Sequence, residues 1–221
     1  MTRRPTIDTQ KRVVCLISGG IDSPVAAWMA MKKGFTAIFV YCDNSPFVDQ
    51  TTRQRAVETV RKLVEHEKKG HVKLYVVPHG GDLADILRNC PRNLTCVLCR
   101  RMMYRIAERV ADIENADAII TGEIIGEHAS QTLRNLRIES MALSHISVMR
   151  PLSGLNKTEV EQLARKIGTF TVSTKPASFC SGPPPMPRTR ARVEEILEAE
   201  KNLNIASMLE RDMKGAMVLM I

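Results

Sequence analysis

Val-Val-Cys-Leu-Ile-Ser-Gly-Gly-Ile-Asp-Ser-Pro, residues 13–24, is the most informative segment of this 221-residue sequence. Its five leading apolar residues are typical of a strand buried on both faces of a parallel sheet. The glycine pair then permits a tight turn, and the proline leads into the apolar-periodic residues 25–31, which predict a helix. We expect Asp22 or Ser23 to cap that helix, because both side chains accept hydrogen bonds from helix-start amides. The segment therefore predicts a strand, a glycine turn and a helix.

This arrangement suits a bound phosphate, because helix-start amides point their positive ends outward and glycines allow close approach to the backbone. It is not the P-loop of common NTPases, which ends in Gly-Lys-Ser/Thr, and it lacks the third glycine of a dinucleotide fingerprint. From the glycine pair alone, an ordinary strand-to-helix turn remains an alternative. The full Ser-Gly-Gly-x-Asp-Ser string is more specific. It is similar to the pyrophosphate loop (PP-loop) of ATP pyrophosphatases, which cut ATP between its α- and β-phosphates.

The composition is that of a globular protein, and its charge favours an anionic partner over the alternative of a protein that is merely basic. Hydrophobic residues make up 44% and charged residues 25%, which is ordinary for a soluble domain. The sequence has no apolar run near the ~20 residues of a membrane span, and its first residues show no secretory leader, so we expect a cytoplasmic protein without a membrane partner. A formal charge of +8 favours a polyanionic partner. Aromatic residues, at 4%, are too few for a platform of stacked rings that binds single-stranded RNA.

The remaining apolar segments alternate between strand and helix patterns. Strands are predicted at residues 35–41, 72–77, 116–122 and 146–152, and helices at 51–69, 82–88, 100–115 and 127–137. Such alternation predicts an α/β fold with a doubly wound, mainly parallel sheet and helices on both faces. Because ligands gather at the carboxyl ends of parallel strands, Gly122 and Glu123 should face the same crevice as Ser18. Asn156 and Glu159 form a capping-box pattern that starts another helix.

The composition shifts near residue 170, which suggests three parts of the chain. We expect a polar N-terminal tail at residues 1–12, a PP-loop ATP pyrophosphatase domain at 13–182, and a basic, proline-rich loop with a helical tail at 183–221. The proline-rich segment contains Cys180 and several arginines. A long segment of this kind is either functional or mobile.

Six strings carry a closer family resemblance. They are SGGIDSPVA at 18–26, RRMM at 100–103, TGE at 121–123, ASQTLRNLR at 129–137, RPL at 150–152 and ARKIG at 164–168. With them the chain resembles the tRNA 4-thiouridine synthetase (tRNA sulfurtransferase) family, in its archaeal type with a Cys-x-x-Cys pair. The resemblance implies a fold of the adenine nucleotide alpha-hydrolase type. It also implies ATP-dependent synthesis of 4-thiouridine, in which a uridine carbonyl in tRNA is adenylated and its oxygen is replaced by sulfur.

The resemblance also implies a set of ATP-binding residues. The pyrophosphate would be held by Ser18, Gly19, Gly20, Asp22 and Ser23. The adenine and ribose would be held by Leu16, Ile17, Tyr41, Cys42, Arg100, Gly122 and Gln131. Adenylation needs donors and Mg²⁺ on the developing phosphate charge, and Asp22 is the catalytic candidate that positions the metal or the base. A simple N-cap role for Asp22 remains open.

Cysteine residues indicate the sulfur chemistry. Cys96 and Cys99 have the Cys-x-x-Cys spacing of metal ligands. Cys180 stands where family members have their sulfur-transferring cysteine, so it is the second catalytic candidate. In archaeal-type relatives this cysteine joins the Cys-x-x-Cys pair in holding an iron–sulfur cluster, here expected as a 4Fe–4S cluster with one iron open to sulfide.

Two alternatives remain for these thiols, and the other candidate ligands are weaker. Cys180 could carry a persulfide that Cys96 or Cys99 resolves, or the thiols could hold a structural zinc ion. Cys90 or His128 could supply a fourth zinc ligand, although no spacing requires it. Cys15 is expected in the core. The remaining histidines have no partner pattern and are expected to be surface or packing residues: His66, His71, His79 and His145.

Partners and competing functions follow from what surrounds the matched region. Only a dozen residues precede the first strand, so we expect tRNA to be presented by a separate RNA-binding protein, by a second copy in a homodimer, or by the basic loop. The sulfur donor is expected to be sulfide or a persulfide carrier. One alternative is a related ATP pyrophosphatase that acts on a small molecule or a sulfur carrier protein, as in the thiamine thiazole path. Another is an ATP- or cluster-binding subunit without its own activity.

Overall fold

A computed structural model of the chain describes residues 11–65, 71–127 and 129–221. His66, His128 and nearly all of the expected N-terminal tail lie outside these ranges. The strands are β1 Arg12–Leu16, β2 Thr36–Asp43, β3 Lys73–Pro78, β4 Ala118–Ile120, β5 Ser147–Met149 and β6 Met217–Met220. The helices are α1 Asp22–Lys32, α2 Gln50–Val64, α3 Gly80–Asn89, α4 Thr95–Glu114, α5 Leu133–Ser140, α6 Lys157–Lys166, α7 Phe170–Ser173, α8 Val193–Glu200 and α9 Ile205–Gly215.

The strands form one sheet in the order β5-β4-β1-β2-β3-β6. Each neighbouring pair is parallel except β3 and β6, which are antiparallel. The predicted doubly wound, mainly parallel sheet is therefore confirmed. The chain adds strands on one side of β1 and then on the other, so the order reverses between β1 and β4. At such a switch point a crevice opens beyond the carboxyl ends of the strands, where ligands bind.

Helices cover both faces of the sheet, and the residues of β1 show how. Val13 and Cys15 pack against α1, α2 and α6, whereas Val14 packs against α4 and α9 on the opposite face. A strand buried on both faces needs apolar side chains at every position, which accounts for the unbroken apolar run. Cys15 is buried in this core as expected. Across the described residues, no helix combines the length and the apolar character needed to cross a membrane.

Several element boundaries differ from the predictions for identifiable reasons. Helix α1 begins at Asp22 and has Ile21 as its N-cap, without a side-chain capping bond. The prediction that Asp22 or Ser23 caps this helix is wrong. The Ser23 hydroxyl instead accepts a hydrogen bond from the amide of Ser18, which precedes the helix, at 3.1 Å. Helix α5 starts later than predicted because Thr132 caps it, its hydroxyl accepting from the Asn135 amide.

Two further differences concern α4 and β6. Helix α4 starts at Thr95, so the Cys-x-x-Cys pair lies inside its first turns and Arg100 is not at its start, as expected, but in its second turn. The sequence analysis missed β6, an edge strand that pairs with β3. By contrast, the capping box at Asn156 and Glu159 is present as predicted and starts α6.

Candidate active site

The loop after β1 is shaped by one glycine and two serines. Gly19 has a φ of 75°, and a Cβ there would lie 3.2 Å from the Ala56 amide nitrogen of α2. The Gly20 amide donates to the Ser18 hydroxyl at 3.2 Å, and the Ser18 amide donates to the Ser23 hydroxyl at 3.1 Å. These bonds fold the loop back onto the start of α1, where helix-start amides favour an anion.

The end of β4 lies directly against this loop. A Cβ on Gly122 would lie only 2.6 Å from the Ser23 amide nitrogen, which no side chain can satisfy without displacing the helix start. Glycine at this position therefore lets the β4 end and the α1 N-terminus meet. The structure brings Gly122 into the same crevice as Ser18 and Ser23.

Asp22 faces a cation supplied by α6. The Lys157 ammonium donates to both Asp22 carboxylate oxygens, at 2.8 and 3.0 Å, and lies 3.6 Å from a Glu127 oxygen. Lys157 is the first residue of α6, directly after the Asn156 cap, so the capping box fixes where it lies. Sequence reasoning missed Lys157, and the capping-box pattern beside it was the available signal. A cation of the chain thus already pairs with both Asp22 oxygens, so this carboxylate does not fit a Mg²⁺ ion in the arrangement seen here.

The predicted adenine and ribose residues lie at strand ends and beside α5, and two of them carry unpartnered polar atoms. The Tyr41 hydroxyl and the Gln131 side-chain oxygen are buried without a hydrogen-bond partner. Buried polar atoms without a protein partner fit a site that a polar ligand completes. Leu16 ends β1, Ile17 is joined to β2 through its amide, and Cys42 is buried near the end of β2.

Arg100 is held by a buried carboxylate. Its guanidinium donates to Glu123, which also accepts from the Tyr104 hydroxyl at 3.0 Å and faces the Arg150 Nε at 3.3 Å. Burial alone would raise the pKa of Glu123, but the neighbouring Arg100 cation and the hydrogen bonds lower it. Glu123 thus remains a carboxylate that fixes Arg100 beneath the crevice.

Glu139 is a second buried carboxyl in this region, and sequence reasoning missed it. Its side chain is 0% exposed and neither oxygen has a hydrogen-bond partner. Burial raises the pKa of Glu139 to about 8, although Arg100 opposes that shift. Its position on the Arg137–Ser140 turn of an amphipathic helix gives no sequence signal, because a glutamate there reads as solvent-exposed.

The three predicted thiols come from distant parts of the chain and lie close together. Cys96 and Cys99 lie in the first turns of α4, and Cys180 packs on the same apolar cluster as Cys99. The Asn44 amide points at the Cys180 sulfur from 4.0 Å, and the Ser181 amide anchors that segment to the Phe47 carbonyl at 3.0 Å. Burial, with smaller contributions from the neighbouring sulfurs of Cys99 and Cys180, raises the pKa of Cys96 to about 11.

The three thiols are spaced more widely than a single zinc ion requires. Four-coordinate zinc with sulfur ligands at ~2.3 Å holds those sulfurs about 3.8 Å apart. Among the described residues, the three thiols are not gathered within 4.8 Å of one another, a distance met only by the ligating atoms of His79, Asp82 and Asp212. An iron–sulfur cluster spreads its thiolate ligands over several irons and so suits a wider set. Cys90 is not added to the set, since its thiol faces the Ala199 carbonyl at 3.4 Å.

His79 is the main correction to the sequence analysis. It was expected to have no partner, yet its ring is fully buried, with Nδ1 3.1 Å from Asp82 Oδ2 and Nε2 3.2 Å from the Cys99 sulfur. Burial alone would lower the pKa of His79, but the Cys99 sulfur, Asp212 and Asp82 together raise it. The available signal was its place at the carboxyl end of β3, three residues before Asp82.

A family model and the curated relatives of this chain indicate the same family. A family model described as thiamine biosynthesis protein (ThiI) matches residues 8–205. A probable tRNA sulfurtransferase of Methanosarcina mazei is 40% identical over 213 residues, covering 96% of this chain and 52% of that protein. One of Methanothermobacter thermautotrophicus is 40% identical over 197 residues, covering 89% of this chain and 50% of that protein.

Solved structures agree with these relatives. The crystal structure of a 4-thiouridine synthetase–RNA complex with bound ATP matches with a TM-score of 0.91 and 33% identity, covering 96% of this chain and 55% of that one. The NMN synthetase of Francisella tularensis matches with a TM-score of 0.56 and 18% identity, covering 92% of this chain and 82% of that one, and shows the fold alone. The chain spans about half the length of the curated relatives it matches.

Proposed function

Because the chain belongs to the thiamine biosynthesis protein (ThiI) family, we propose that it is an ATP-dependent tRNA uridine sulfurtransferase. In this proposal it adenylates the C4 carbonyl oxygen of a uridine in tRNA and replaces that oxygen with sulfur, yielding 4-thiouridine, AMP and pyrophosphate. Similarity to a 4-thiouridine synthetase complexed with RNA and ATP supports the assignment. ATP and tRNA are both part of the proposal.

The first step is adenylation at the glycine loop. The uridine O4 attacks the α-phosphorus, the bond between that phosphorus and the bridging oxygen to the β-phosphate breaks, and pyrophosphate leaves with that oxygen. The uracil N3 proton passes to water. The Ser18–Ser23 loop would hold the pyrophosphate through its amides, which stabilise the charge that develops there. Lys157, between Asp22 and Glu127, adds a cation at the same end of the crevice.

The second step is sulfur delivery at the three thiols. A sulfide nucleophile attacks C4, the C4–O bond breaks, and AMP leaves with that oxygen, so the exchange requires no net oxidation. Cys96, Cys99 and Cys180 would hold an iron–sulfur cluster, which when bound supplies an iron on which sulfide can reside. With a persulfide on Cys180 instead, Cys96 or Cys99 would resolve it by forming a disulfide, and a thiol reductant would then be needed for each turnover.

An arginine-rich surface supports RNA as the acceptor. Arg134 and Arg137 of α5 and Arg192 line one hollow of about 190 Å³. The Asn135 side chain fixes this arrangement, because its amide donates to the Arg188 carbonyl at 2.8 Å and its oxygen accepts from the Ala191 amide at 3.0 Å. Clustered guanidinium groups bind phosphates and account for a share of the net charge of +8.

The observation that supports the proposal is that the glycine loop follows β1 while Cys180 and Cys99 lie beside residues that follow β2 and β3, at the same end of the sheet. The test combines ATP, unmodified tRNA and sulfide with oxygen-free protein and measures pyrophosphate and thiolated uridine. We expect both products in equal amounts, and RNA binding that weakens steeply with salt. Pyrophosphate release with a small acceptor but without RNA binding would contradict it, as would ATP binding without turnover.

We propose a second candidate function, in thiamine biosynthesis, because the description of the matching family names that process. The same adenylation chemistry would then act on the C-terminal carboxylate of a sulfur carrier protein. Replacing tRNA by such a protein in the assay distinguishes the two acceptors, since only the true acceptor stimulates pyrophosphate release.

A further inference from the structure

A line of buried polar side chains ends at one of the two thiols of the Cys-x-x-Cys pair. His79 follows β3, and its amide donates to the Asp43 carbonyl at 2.8 Å, which fixes the backbone at the strand end. The ring is 0% exposed. Nδ1 lies 3.1 Å from Asp82 Oδ2 and 4.0 Å from Asp212 Oδ2, and Nε2 lies 3.2 Å from the Cys99 sulfur.

The Asp82 carboxylate determines which ring nitrogen of His79 faces Cys99. A carboxylate only accepts hydrogen bonds, so Nδ1 carries a hydrogen that points at Asp82. Nε2 is thereby aimed at Cys99, and one hydrogen lies between nitrogen and sulfur whichever atom carries it. Hydrogen bonds therefore join Asp82, His79 and Cys99 whether the Cys99 sulfur is protonated or not.

A metal ion is the competing explanation, because His79, Asp82 and Asp212 present ligating atoms within 4.8 Å of one another. Arg211 argues against it. Its guanidinium donates to Asp82 Oδ1 at 2.6 Å and lies 3.9 Å from Asp212 Oδ1. A cation already supplied by the chain neutralises these carboxylates and would repel a divalent ion.

The two thiols of the pair are thus unequal. Cys99 is 8% exposed and bonded to His79, whereas Cys96 is half-buried and no described side chain hydrogen-bonds to its sulfur. A hydrogen bond to a sulfur atom orients that sulfur toward what it binds. The geometry separates the pair into one held sulfur and one free sulfur.

We propose that His79 is a positioning residue for Cys99, held by Asp82 and hydrogen-bonded to the Cys99 sulfur, so that Cys99 is the preorganised thiol of the Cys-x-x-Cys pair. This assignment rests on the proposed function, because it divides roles within the three-thiol site. It is tested on the protein without ATP, tRNA or iron, so its failure would leave the proposed function standing.

The test uses two substitutions that separate the two ring nitrogens. Asparagine places its amide near the position of Nδ1, so His79→Asn keeps a donor to Asp82 and loses the reach to Cys99. Glutamine places its amide near Nε2, so His79→Gln keeps a donor at Cys99. His145→Asn is the matched control, since His145 is an exposed histidine paired with Asp112.

The readout is the rate of iodoacetamide alkylation of reduced, oxygen-free protein at one pH. Both thiols lie on the tryptic peptide 93–100, and tandem mass spectrometry separates them. We expect His79→Asn to lower the Cys99 rate relative to Cys96 by roughly fivefold or more, because the hydrogen bond that orients the Cys99 sulfur is lost. His79→Gln and His145→Asn should stay within about twofold of the unaltered protein. Loss of ring volume alone would open the site and speed the reaction, so the sign distinguishes the two causes.

A ratio that is unchanged or raised in folded His79→Asn overturns the proposal. Should that variant fail to fold, imidazole ¹⁵N NMR of the unaltered protein is compared with that of Cys99→Ser. The Nε2 resonance of His79 is then expected to move while that of His145 does not, and an unmoved His79 resonance overturns the proposal. Stoichiometric zinc or manganese lost in Asp212→Asn would also overturn it, by assigning the cluster to an ion.

Discussion

At the scale of single residues, the contact between Lys157 and Asp22 links the glycine loop to α6. The pair is part-exposed, with side-chain exposures of 34% and 18%, so it contributes at most about 1 kcal/mol to folding. Its value is instead positional, because it places an anion and a cation where the pyrophosphate of ATP would lie. Effects on activity and on stability are therefore separable at this site.

We expect Asp22→Asn to lower ATP-dependent pyrophosphate release by roughly 100-fold, because Lys157 loses the carboxylate that orients it. The melting temperature should change little. Asp117→Asn, an exposed position at the far end of β4, is the control and should keep full activity. Pyrophosphate release by Asp22→Asn at the unaltered rate would remove Asp22 from the catalytic set.

Glu139 makes the folding stability depend on pH. Its folded-state pKa is raised to about 8 from an ordinary value of 4.5, so between these values the folded state binds more protons than the unfolded state. Stability is then lost as pH rises across that window, by up to ~1.4 kcal/mol per pH unit. In denaturant titrations from pH 5 to pH 8, Glu139→Gln should lose less stability than the unaltered protein. Parallel curves for the two proteins would show that Glu139 is ionised in the folded state.

Residue roles were predictable only where a local pattern fixes them. The serine–glycine string and the Cys-x-x-Cys spacing are such patterns, and they named Ser18, Gly19 and the paired cysteines. His79 and Glu139 were not predictable, because Cys99 and Asp212 reach His79 from α4 and α9, and the burial of Glu139 depends on how its helix packs near Arg100. Burial and a distant partner leave no periodic signal in the sequence around either residue.

At the scale of elements, the close approach of β4 to α1 depends on Gly122. We expect Gly122→Ala to weaken ATP binding by roughly tenfold or more and to lower the melting temperature, since its Cβ would lie 2.6 Å from the Ser23 amide nitrogen. Gly154→Ala is the matched control, because a Cβ there meets nothing within 4 Å. Calorimetric titration with ATP and thermal denaturation measure the two effects. Equal behaviour of the two variants would contradict the close approach.

Helix and strand identities were largely predictable from periodicity, and helix starts were not. The capping box at Asn156 was found because both of its partners are local. The start of α1 was misplaced because the Ser23 hydroxyl bonds backward to Ser18, a choice that depends on the folded loop. Strand β6 was missed because four residues at a sheet edge show no clear alternation, and its pairing with β3 is set by the tertiary structure.

At the scale of the whole molecule, the three thiols lie near one another only when the segment after α7 folds back over the loop between β2 and α2. We expect Cys180→Ser to abolish sulfur transfer to RNA while pyrophosphate release stays within about twofold, because the hydroxyl cannot replace the thiolate. Cys90→Ser is the control and should retain both activities, since Cys90 faces the Ala199 carbonyl. Equal loss of both products in Cys180→Ser would mean that the thiol supports only the fold of the site.

The overall architecture could be predicted because alternating strands and helices leave few ways to build a sheet. The contacts between residues at the carboxyl ends of the strands could be predicted only in part. The topology rule placed Gly122 near Ser18, but neither the Arg100–Glu123 pair nor the His79–Cys99 pair follows from it. Those contacts depend on side-chain packing between elements, which single-sequence patterns do not encode.

The antiparallel pairing of β3 with β6 at the sheet edge has a consequence while the protein is being translated. Strand β3 is translated roughly 140 residues before β6, so at ordinary ribosomal speeds its outer edge waits on the order of 10 s for its partner. During that interval a nascent chain exposes unpaired amides and carbonyls to neighbouring polypeptides. Lys73 at the first position of β3 and Pro78 at its last, a charge and a residue without an amide hydrogen, are the protection that this edge carries until translation reaches Met217.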